Sequence, residues 1–427
     1  MSLDLVETTV GLISLIPLAL LFLLSSELLP LGALSLPSVM VMTSVIYFYI
    51  MPVLSLLDGD DGVFGMYLTN LTWAHFAVLL YSLGATAAFG LQRRYLMENP
   101  GLKRNEDRQM RLPSFFILWG LAALGLIFEV ETSRLNLFGS ANFEAPGEKI
   151  LDFAFLQETY NLLIPITVVL LVRDRFRWRS LLVLLAVAYV CLQVGFRFRI
   201  ILLLAGVATA FALTRNIKPR ASYAVIGVSL AVVAANVIGS LRRYGQGLDL
   251  TRLDTLQASD LTSFKGELGI VYTLAWTADN PLPRPVPFEP WLVALARFVP
   301  SFLWADKPNA TYLDYFMAGA NIDATGAGMA ASQHVEMLLQ WGWFGPPFLA
   351  LLYFLMIGYL IHRLNFLGYE ARIAGCSLAP AFFGFYMQSR GYFFQILADS
   401  LFVFGPLFLM HLGPRRSVNA ARAPLSA

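Results

Sequence analysis

Charged residues are scarce in this chain. Asp, Glu, Lys and Arg together make up 14% of its 427 residues, while 57% are hydrophobic. A soluble globular domain carries about a quarter charged residues. So few polar groups cannot cover so much apolar surface in water, so the expected solvent is lipid. The charges nearly balance, at +2 net, which gives no support to a nucleic-acid partner. Cysteine is limited to Cys191 and Cys376, each inside an apolar run. That argues against a disulfide framework and reads as two buried small residues. Met1 to Glu7 carries acidic residues and no basic cluster, so the first apolar run is expected to be a retained span, not a cleaved leader. There is no P-loop, zinc-ligand spacing, Gly-rich dinucleotide motif or serine nucleophile elbow, and no internal repeat or low-complexity tract.

What the chain does have is long apolar runs. A helix needs about 20 apolar residues to cross a bilayer, and at that depth every backbone polar group must be bonded internally. The fold class expected is therefore an all-α integral membrane protein with about eleven spans. These are Thr9–Leu28, Leu36–Leu57, Leu71–Leu91, Phe115–Val130, Phe155–Val172, Leu181–Phe196, Ile200–Leu213, Tyr223–Leu241, Val335–Ile361, Ile373–Met387 and Tyr392–Leu412. Lys and Arg collect in the loops at Arg93–Arg111, Arg173–Arg179, Arg215–Arg220 and Arg363–Arg372, and in the tail after Arg415. With these spans all five clusters fall on one face, which the positive-inside rule assigns to the cytoplasm.

Three regions follow: helices over 1–240, a large outer loop over 241–333, and helices with a cytoplasmic tail over 334–427. About ninety residues without a span is too long for a bare connector. The loop is expected to hold an amphipathic helix over Leu261–Ala278, with Phe264, Leu268, Val271, Tyr272 and Ala275 on one side. Pro281, Pro283, Pro285 and Pro287 break it, and a second apolar segment, Trp291–Trp304, is expected to lie along the interface.

The candidate site residues are polar groups on the outer side. Arg197 and Arg199 sit in so short a connection that their guanidinium groups must lie at or below the membrane surface. Cations there are costly and need a partner. One reading is an anion clamp, since Arg matches phosphate oxygens bidentately; the other is snorkelling or an ion pair with another span. Arg297 and Lys307 flank a Trp-bearing interfacial segment and could meet the polar head of a lipid-like substrate or simply anchor it. His334 and Glu336 are candidate general bases at the start of a span; the plainer reading is helix capping by Ser332 and a satisfied histidine. Arg390, in the last outer turn, could complete a cationic pocket or be an ordinary turn charge. Asp58, Asp60 and Asp61 alone leave a hard cation short of ligands, so no metal and no cofactor is expected. His75, midway along a span, reads as a packing hydrogen-bonder.

The succession Gly195-x-Arg197, a large outer loop, Arg297-x-x-Pro300, Trp304-x-Asp306-Lys307-Pro308, Glu336 before Gly342-x-x-Gly345, and Arg390-Gly391 resembles the bacterial oligosaccharide repeat-unit polymerases of the Wzy type. The resemblance covers roughly residues 190–410. It implies a GT-C-like, metal-independent membrane glycosyltransferase of the bacterial inner membrane with a periplasmic site. Undecaprenyl-diphosphate-linked oligosaccharide would be both donor and acceptor, the lipid bilayer its surroundings, and a polysaccharide chain-length regulator a partner. The diphosphate would be held by Arg197, Arg199, Arg297, Arg390 and Lys307, with His334 or Glu336 as the base. O-antigen ligases share the clamp but carry His followed by Asn, Ser or Gln, whereas His334 precedes Val335. A lipid-linked oligosaccharide flippase, the reading from a different class, would show internal repeats and charges within a central cavity.

Overall fold

The computed structural model describes residues 5–29, 31–53, 62–63, 66–67, 71–97, 112–131, 158–193, 197–218, 220, 242–243, 247–248, 265–280, 287–296, 299, 303–304, 306–308, 332–390 and 393–410. The elements among them are helical apart from two two-residue antiparallel pairs, Gly62–Val63 with Met66–Tyr67 and Arg242–Arg243 with Gly247–Leu248. In chain order the helices are α1 (Leu5–Leu28), α2 (Leu36–Val45, continued by a π segment Ile46–Ile50), α3 (Leu71–Met97), α4 (Leu112–Glu131), α5 (Leu163–Arg173), α6 (Trp178–Gln193) and α7 (Arg197–Thr214). There follow α8 (Lys265–Asp279), α9 (Glu289–Ala296), α10 (Gln333–Trp341), α11 (Gly345–Leu364), α12 (Tyr369–Ala379) and α13 (Phe393–Leu409). A π segment, Pro380–Tyr386, and a last turn, Met387–Arg390, extend α12.

Among the described residues, four apolar stretches are long enough to cross a membrane: Thr9–Leu28, Leu36–Val53, Leu71–Gln92 and Gln333–Leu364. Shorter apolar helices run over Pro113–Ile127, Thr159–Arg173, Trp178–Leu192, Phe198–Thr214 and Ile396–Leu409. They coincide with the expected spans. The expected span Tyr223–Leu241 lies outside the described residues. Exposed Leu12, Ile16, Leu20 and Leu24 on α1, Phe116, Ile117 and Leu124 on α4, and Leu182 and Leu185 on α6 form apolar outer faces suited to lipid. Cys191 and Cys376 are buried free thiols.

Side-chain contacts fix how the helices run. α3 and α11 are parallel, because Phe89 packs on Phe354 (5.1 Å between ring centroids) and, further along both, Gln92 Nε2 donates to the Leu355 carbonyl at 2.6 Å. A side chain at Gly84 would collide with the Pro347 backbone, so the two helices approach as closely as only glycine allows. α5 and α7 are also parallel: Asn161, just before α5, meets Arg199, and Val168 faces Gly206. α12 runs against α7, with Leu378 at Gly206 and Tyr386 at Phe198. α13 runs back along α12, with Asp399 at Tyr386 and Phe404 at Phe382 and Phe383. It follows that Arg173–Arg179, Arg215–Arg220, Arg363 and Arg372 all gather at one end of the bundle. There Phe176 packs on Phe211 and Lys218 Nζ donates to the Glu27 carbonyl. Arg199 and the Arg390 turn lie at the opposite end.

Two expectations are corrected. The apolar stretch Gln333–Leu364 spans 32 residues, and it is not one straight helix. Gly342 adopts φ 56°, ψ −145°, a conformation that favours glycine and ends α10. A side chain at Gly345 would strike the Met337 carbonyl, and Glu336 lies within electrostatic reach of Tyr353. In a continuous helix those two residues would stand about 26 Å apart. α10 therefore folds back on α11 as a hairpin. Pro346 and Pro347, which need no intrahelical donor, open α11. The starting residues of α10 meet Tyr81, roughly 15 Å along α3 from its first residue. His334 and Glu336 are thus inside the bundle, not at the mouth of a span.

The second correction concerns α8. Phe264 and the Leu268 side chain lie outside what is described, and from Ile270 to Ala275 the helix has no exposed side. Ile270 through Ala275 are each fully buried, because Ile270 and Leu274 add apolar surface opposite Val271 and Tyr272 and α3, α10 and β1–β2 enclose it. α9 does keep an exposed face, at Leu292 and Leu295.

Candidate functional site

Of the candidate cations with described side chains, Arg199 is the most constrained. It lies in the first turn of α7 and is 3% exposed. Its Nε donates to Asn161 Oδ1 at 2.7 Å, and its guanidinium stands over the rings of Tyr160 (4.5 Å) and Phe198 (4.9 Å). The amide is neutral, so this bond orients the group without cancelling its charge, and the ring faces attract the cation. Tyr160 and Asn161 belong to a single 3₁₀ stretch, Glu158–Leu162, ahead of α5. Arg197 opens α7 two residues earlier.

Phe198, between the two arginines, stacks on Tyr386 at 4.3 Å and 16°. The Tyr386 hydroxyl in turn donates to Asp399 Oδ2, a carboxylate 2% exposed within α13. Four residues beyond Tyr386 the extension of α12 ends at Arg390. The start of α7 is therefore held against the Pro380–Tyr386 segment by the Phe198–Tyr386 stack, although the two are almost two hundred residues apart in sequence.

Glu336 reaches the same turn from α10. It is 1% exposed, and its Oε2 accepts the backbone N–H of Phe393 at 2.6 Å. Phe393 is the first residue of α13, so the carboxylate caps that helix at the positive end of its dipole. The Phe393 ring packs against Trp291 of α9 (4.1 Å) and Tyr353 of α11 (5.0 Å). Arg297 directly follows α9 and is outside the described residues. Lys307 is half-buried and its Nζ donates to the Val299 carbonyl at 3.3 Å.

His334 is fully buried and points elsewhere. Two residues apart on a helix means a rotation of about 200°, so His334 and Glu336 occupy opposite sides of α10. The imidazole sits between Phe48 (4.7 Å) and Tyr81 (4.2 Å), and neither nitrogen has a hydrogen-bond partner among the described residues. The two candidate bases do not form a pair. His75 packs as expected: its Nε2 pairs with the Phe48 carbonyl at 2.9 Å and its ring stacks on Tyr49. Asp58, Asp60 and Asp61 are outside the described residues, and Arg242 and Arg243 stand in a short antiparallel pair.

Several partners were not singled out from the sequence. Asp399 had a signal, because a carboxylate inside the apolar run Tyr392–Leu412 is costly and calls for a partner. Tyr81, Gln333 and Gln388 had none. They form one network in which Gln388 Nε2 donates to the Tyr81 hydroxyl and that hydroxyl donates to Gln333 Oε1 at 3.2 Å. No family model, curated protein or solved structure matches this chain.

The Glu336 cap makes a graded prediction. Hydrogen bonds to a charged group are worth about 1.5–3 kcal/mol and neutral ones about 0.5–1.5. Glu336→Gln can still accept from the Phe393 amide, whereas Glu336→Ala leaves that donor bare. The melting temperature should fall modestly for the glutamine variant and clearly further for alanine. Equal melting temperatures would mean that the carboxylate does not hold the start of α13.

Proposed function

We propose that the chain polymerises lipid-linked oligosaccharide repeat units in a bacterial inner membrane, as an eleven-span, GT-C-like and metal-independent glycosyltransferase working on the periplasmic side. The observation that carries this reading is that three segments distant in sequence meet at the α12–α13 pair, away from Arg363 and Arg372, through the Phe198–Tyr386 stack and the bond from the Phe393 amide to Glu336. These are the Arg197–Arg199 start of α7, the Arg390–Phe393 turn and the Glu336 carboxylate. Each was a candidate from the sequence on separate grounds. If the basic loops face the cytoplasm, the meeting point faces outward.

In this reaction an acceptor sugar hydroxyl attacks the anomeric carbon of the growing glycan. The bond from that carbon to the carrier diphosphate breaks, and the electron pair leaves with the diphosphate. The hydroxyl proton passes to a base. Negative charge grows on the leaving group, and preorganised cations in a water-poor site stabilise it far more than in water. Arg197, Arg199, Arg297 and Arg390 would supply that charge, with Lys307 contributing least because its ammonium is committed to the Val299 carbonyl. Glu336 is the better placed base, being bonded to the turn that follows Arg390. His334 lies on the far side of α10 and is assigned no proton transfer.

Cells lacking the protein should carry glycans that end after a single repeat unit, where the wild type carries a long ladder. A mutant with full-length polymer bearing no attachment to its final acceptor would favour the ligase reading instead.

A further inference from the structure

Six cations stand together where α5 and α7 finish. Arg173 ends α5, and Arg175, Arg177 and Arg179 follow through the turn into α6; all four are exposed. Arg215 directly follows α7 and Lys218 lies three residues on, both exposed. Ring contacts join the two groups. Phe176 packs on Phe211 at 5.3 Å, and the Arg215 guanidinium stands 5.7 Å from the centroid of that same Phe211 ring. The bond from Lys218 Nζ to the Glu27 carbonyl brings in the end of α1.

The charge of this cluster is not cancelled from within. Asp174 and Glu27 are the neighbouring carboxylates, yet among the described residues none of the six cations forms an ion pair. Their contacts are neutral: Arg179 over the Trp178 ring, Arg215 over Phe211, and Lys218 on a backbone carbonyl. Cations after a helix often serve to cap its last carbonyls. Here the backbone does that itself. The Phe176 amide donates to the Leu171 carbonyl and the Ile217 amide to the Ala212 carbonyl, each at 2.8 Å. Arg175, Phe176 and Asn216 take the left-handed conformation that this closure needs, with φ of 53°, 58° and 53°. The guanidinium groups are thereby left for a partner outside the chain. Five of the six cations are arginines, whose planar fork matches phosphate oxygens.

The surroundings distinguish a phospholipid from a dissolved anion. Trp178, Phe211 and Ile217 are exposed among the charges. Leu182 and Leu185 continue an exposed apolar face about 6–10 Å further along α6. Tryptophan is enriched at the level of lipid headgroups, and basic clusters at helix ends suit anionic ones. A dissolved phosphate would use the charges alone, whereas a phospholipid uses both the charges and the apolar border.

We propose that the α5–α6 turn and the end of α7 form a binding site for an anionic phospholipid, its phosphate held by the arginines and its acyl chains lying along α6. The site needs only that this end of the bundle meet a membrane surface; it does not depend on the glycosyltransferase reading.

The test uses the purified full chain in detergent micelles. It is titrated separately with phosphatidylglycerol, cardiolipin and phosphatidylcholine, and bound lipid is counted by native mass spectrometry. The proteins compared are wild type, the triple variant Arg175→Gln, Arg177→Gln, Arg215→Gln, and Arg363→Gln. Each cation near a headgroup is worth about a fivefold change in affinity. With three engaged, the wild type should bind at least one of the anionic lipids about 100-fold more tightly than phosphatidylcholine. The triple variant should bind all three lipids alike. Arg363, at the same end but beside Tyr359, is outside the cluster, and Arg363→Gln should keep the wild-type preference. A wild type that favours neither anionic lipid, or a triple variant that keeps the preference, would overturn the proposal. Displacement of the bound lipid by millimolar inorganic phosphate would overturn it as well, because the cluster would then be a site for a soluble anion.

Discussion

Arg199→Lys should leave a folded protein that elongates glycans at least about 100-fold more slowly, in line with the loss of one preorganised electrostatic donor. The reason lies in the geometry of the group, not its charge. The guanidinium is flat, donates to Asn161 and lies over Tyr160 and Phe198 together. An ammonium keeps the charge but offers no planar face to those rings and no fixed fork of donors. Arg199→Ala goes further, because it leaves the buried Asn161 carbonyl without this donor, at a cost of about 1–3 kcal/mol of stability. The two variants separate the roles. If Arg199 only holds α7 against the start of α5, activity will track the amount of folded protein in both. If it stabilises a leaving diphosphate, the lysine variant will lose turnover while melting close to wild type. Wild-type elongation by Arg199→Lys would remove the clamp from the account.

Gly345→Val should be the most disruptive single change in the C-terminal half. A side chain at this position would overlap the Met337 carbonyl, which is backbone inside α10 and cannot rotate away. Overpacking that cannot relax typically costs about 1–3 kcal/mol, and here the obstacle is rigid. The strain would be relieved by parting α10 from α11. That parting pulls Glu336 from the Phe393 amide and His334 from its place between Phe48 and Tyr81. Activity and thermal stability should therefore fall together. Gly90→Ala on α3, where an added side chain meets nothing within 4 Å, should change neither. A Gly345→Val protein that melts and elongates like wild type would mean that the hairpin is not required.

The helices were legible because long apolar runs favour helix, and the described helices, four of them long and apolar enough to cross a membrane, fall where the apolar runs do. The one-ended distribution of Arg and Lys was legible for a related reason, since it depends only on counting spans. What hydropathy cannot register is a chain reversal inside an apolar run. Gly342-Trp-Phe-Gly345-Pro-Pro reads as mid-span, yet the positive φ at Gly342 and the tight contact at Gly345 turn the helix back. That one reversal moved His334 and Glu336 from the mouth of a span into the bundle. The helix α8 was legible and the burial of Ile270–Ala275 was not, because that burial comes from α3 and α10, which are far away in sequence. Of the site, the charged members were visible through the cost of charge at depth. Their neutral partners, Asn161, Tyr81 and Gln388, carry no such cost and gave no signal.

A single topology joins these results. Parallel pairing of α3 with α11 and of α5 with α7, and antiparallel pairing of α12 with both α7 and α13, place the start of α7 and the last turn of the α12 extension toward one end, with Glu336 reaching the Phe393 amide from inside the bundle. Arg173–Arg179, Arg215, Arg363 and Arg372 occupy the other.

The most direct test is to reconstitute the purified chain in liposomes with an undecaprenyl-diphosphate-linked repeat unit and to measure product length with and without EDTA. The account predicts a ladder of glycans extended by whole repeat units, released carrier diphosphate in equal number to the bonds formed, and no effect of the chelator. Transfer of the lipid-linked unit between leaflets with its length unchanged would contradict it.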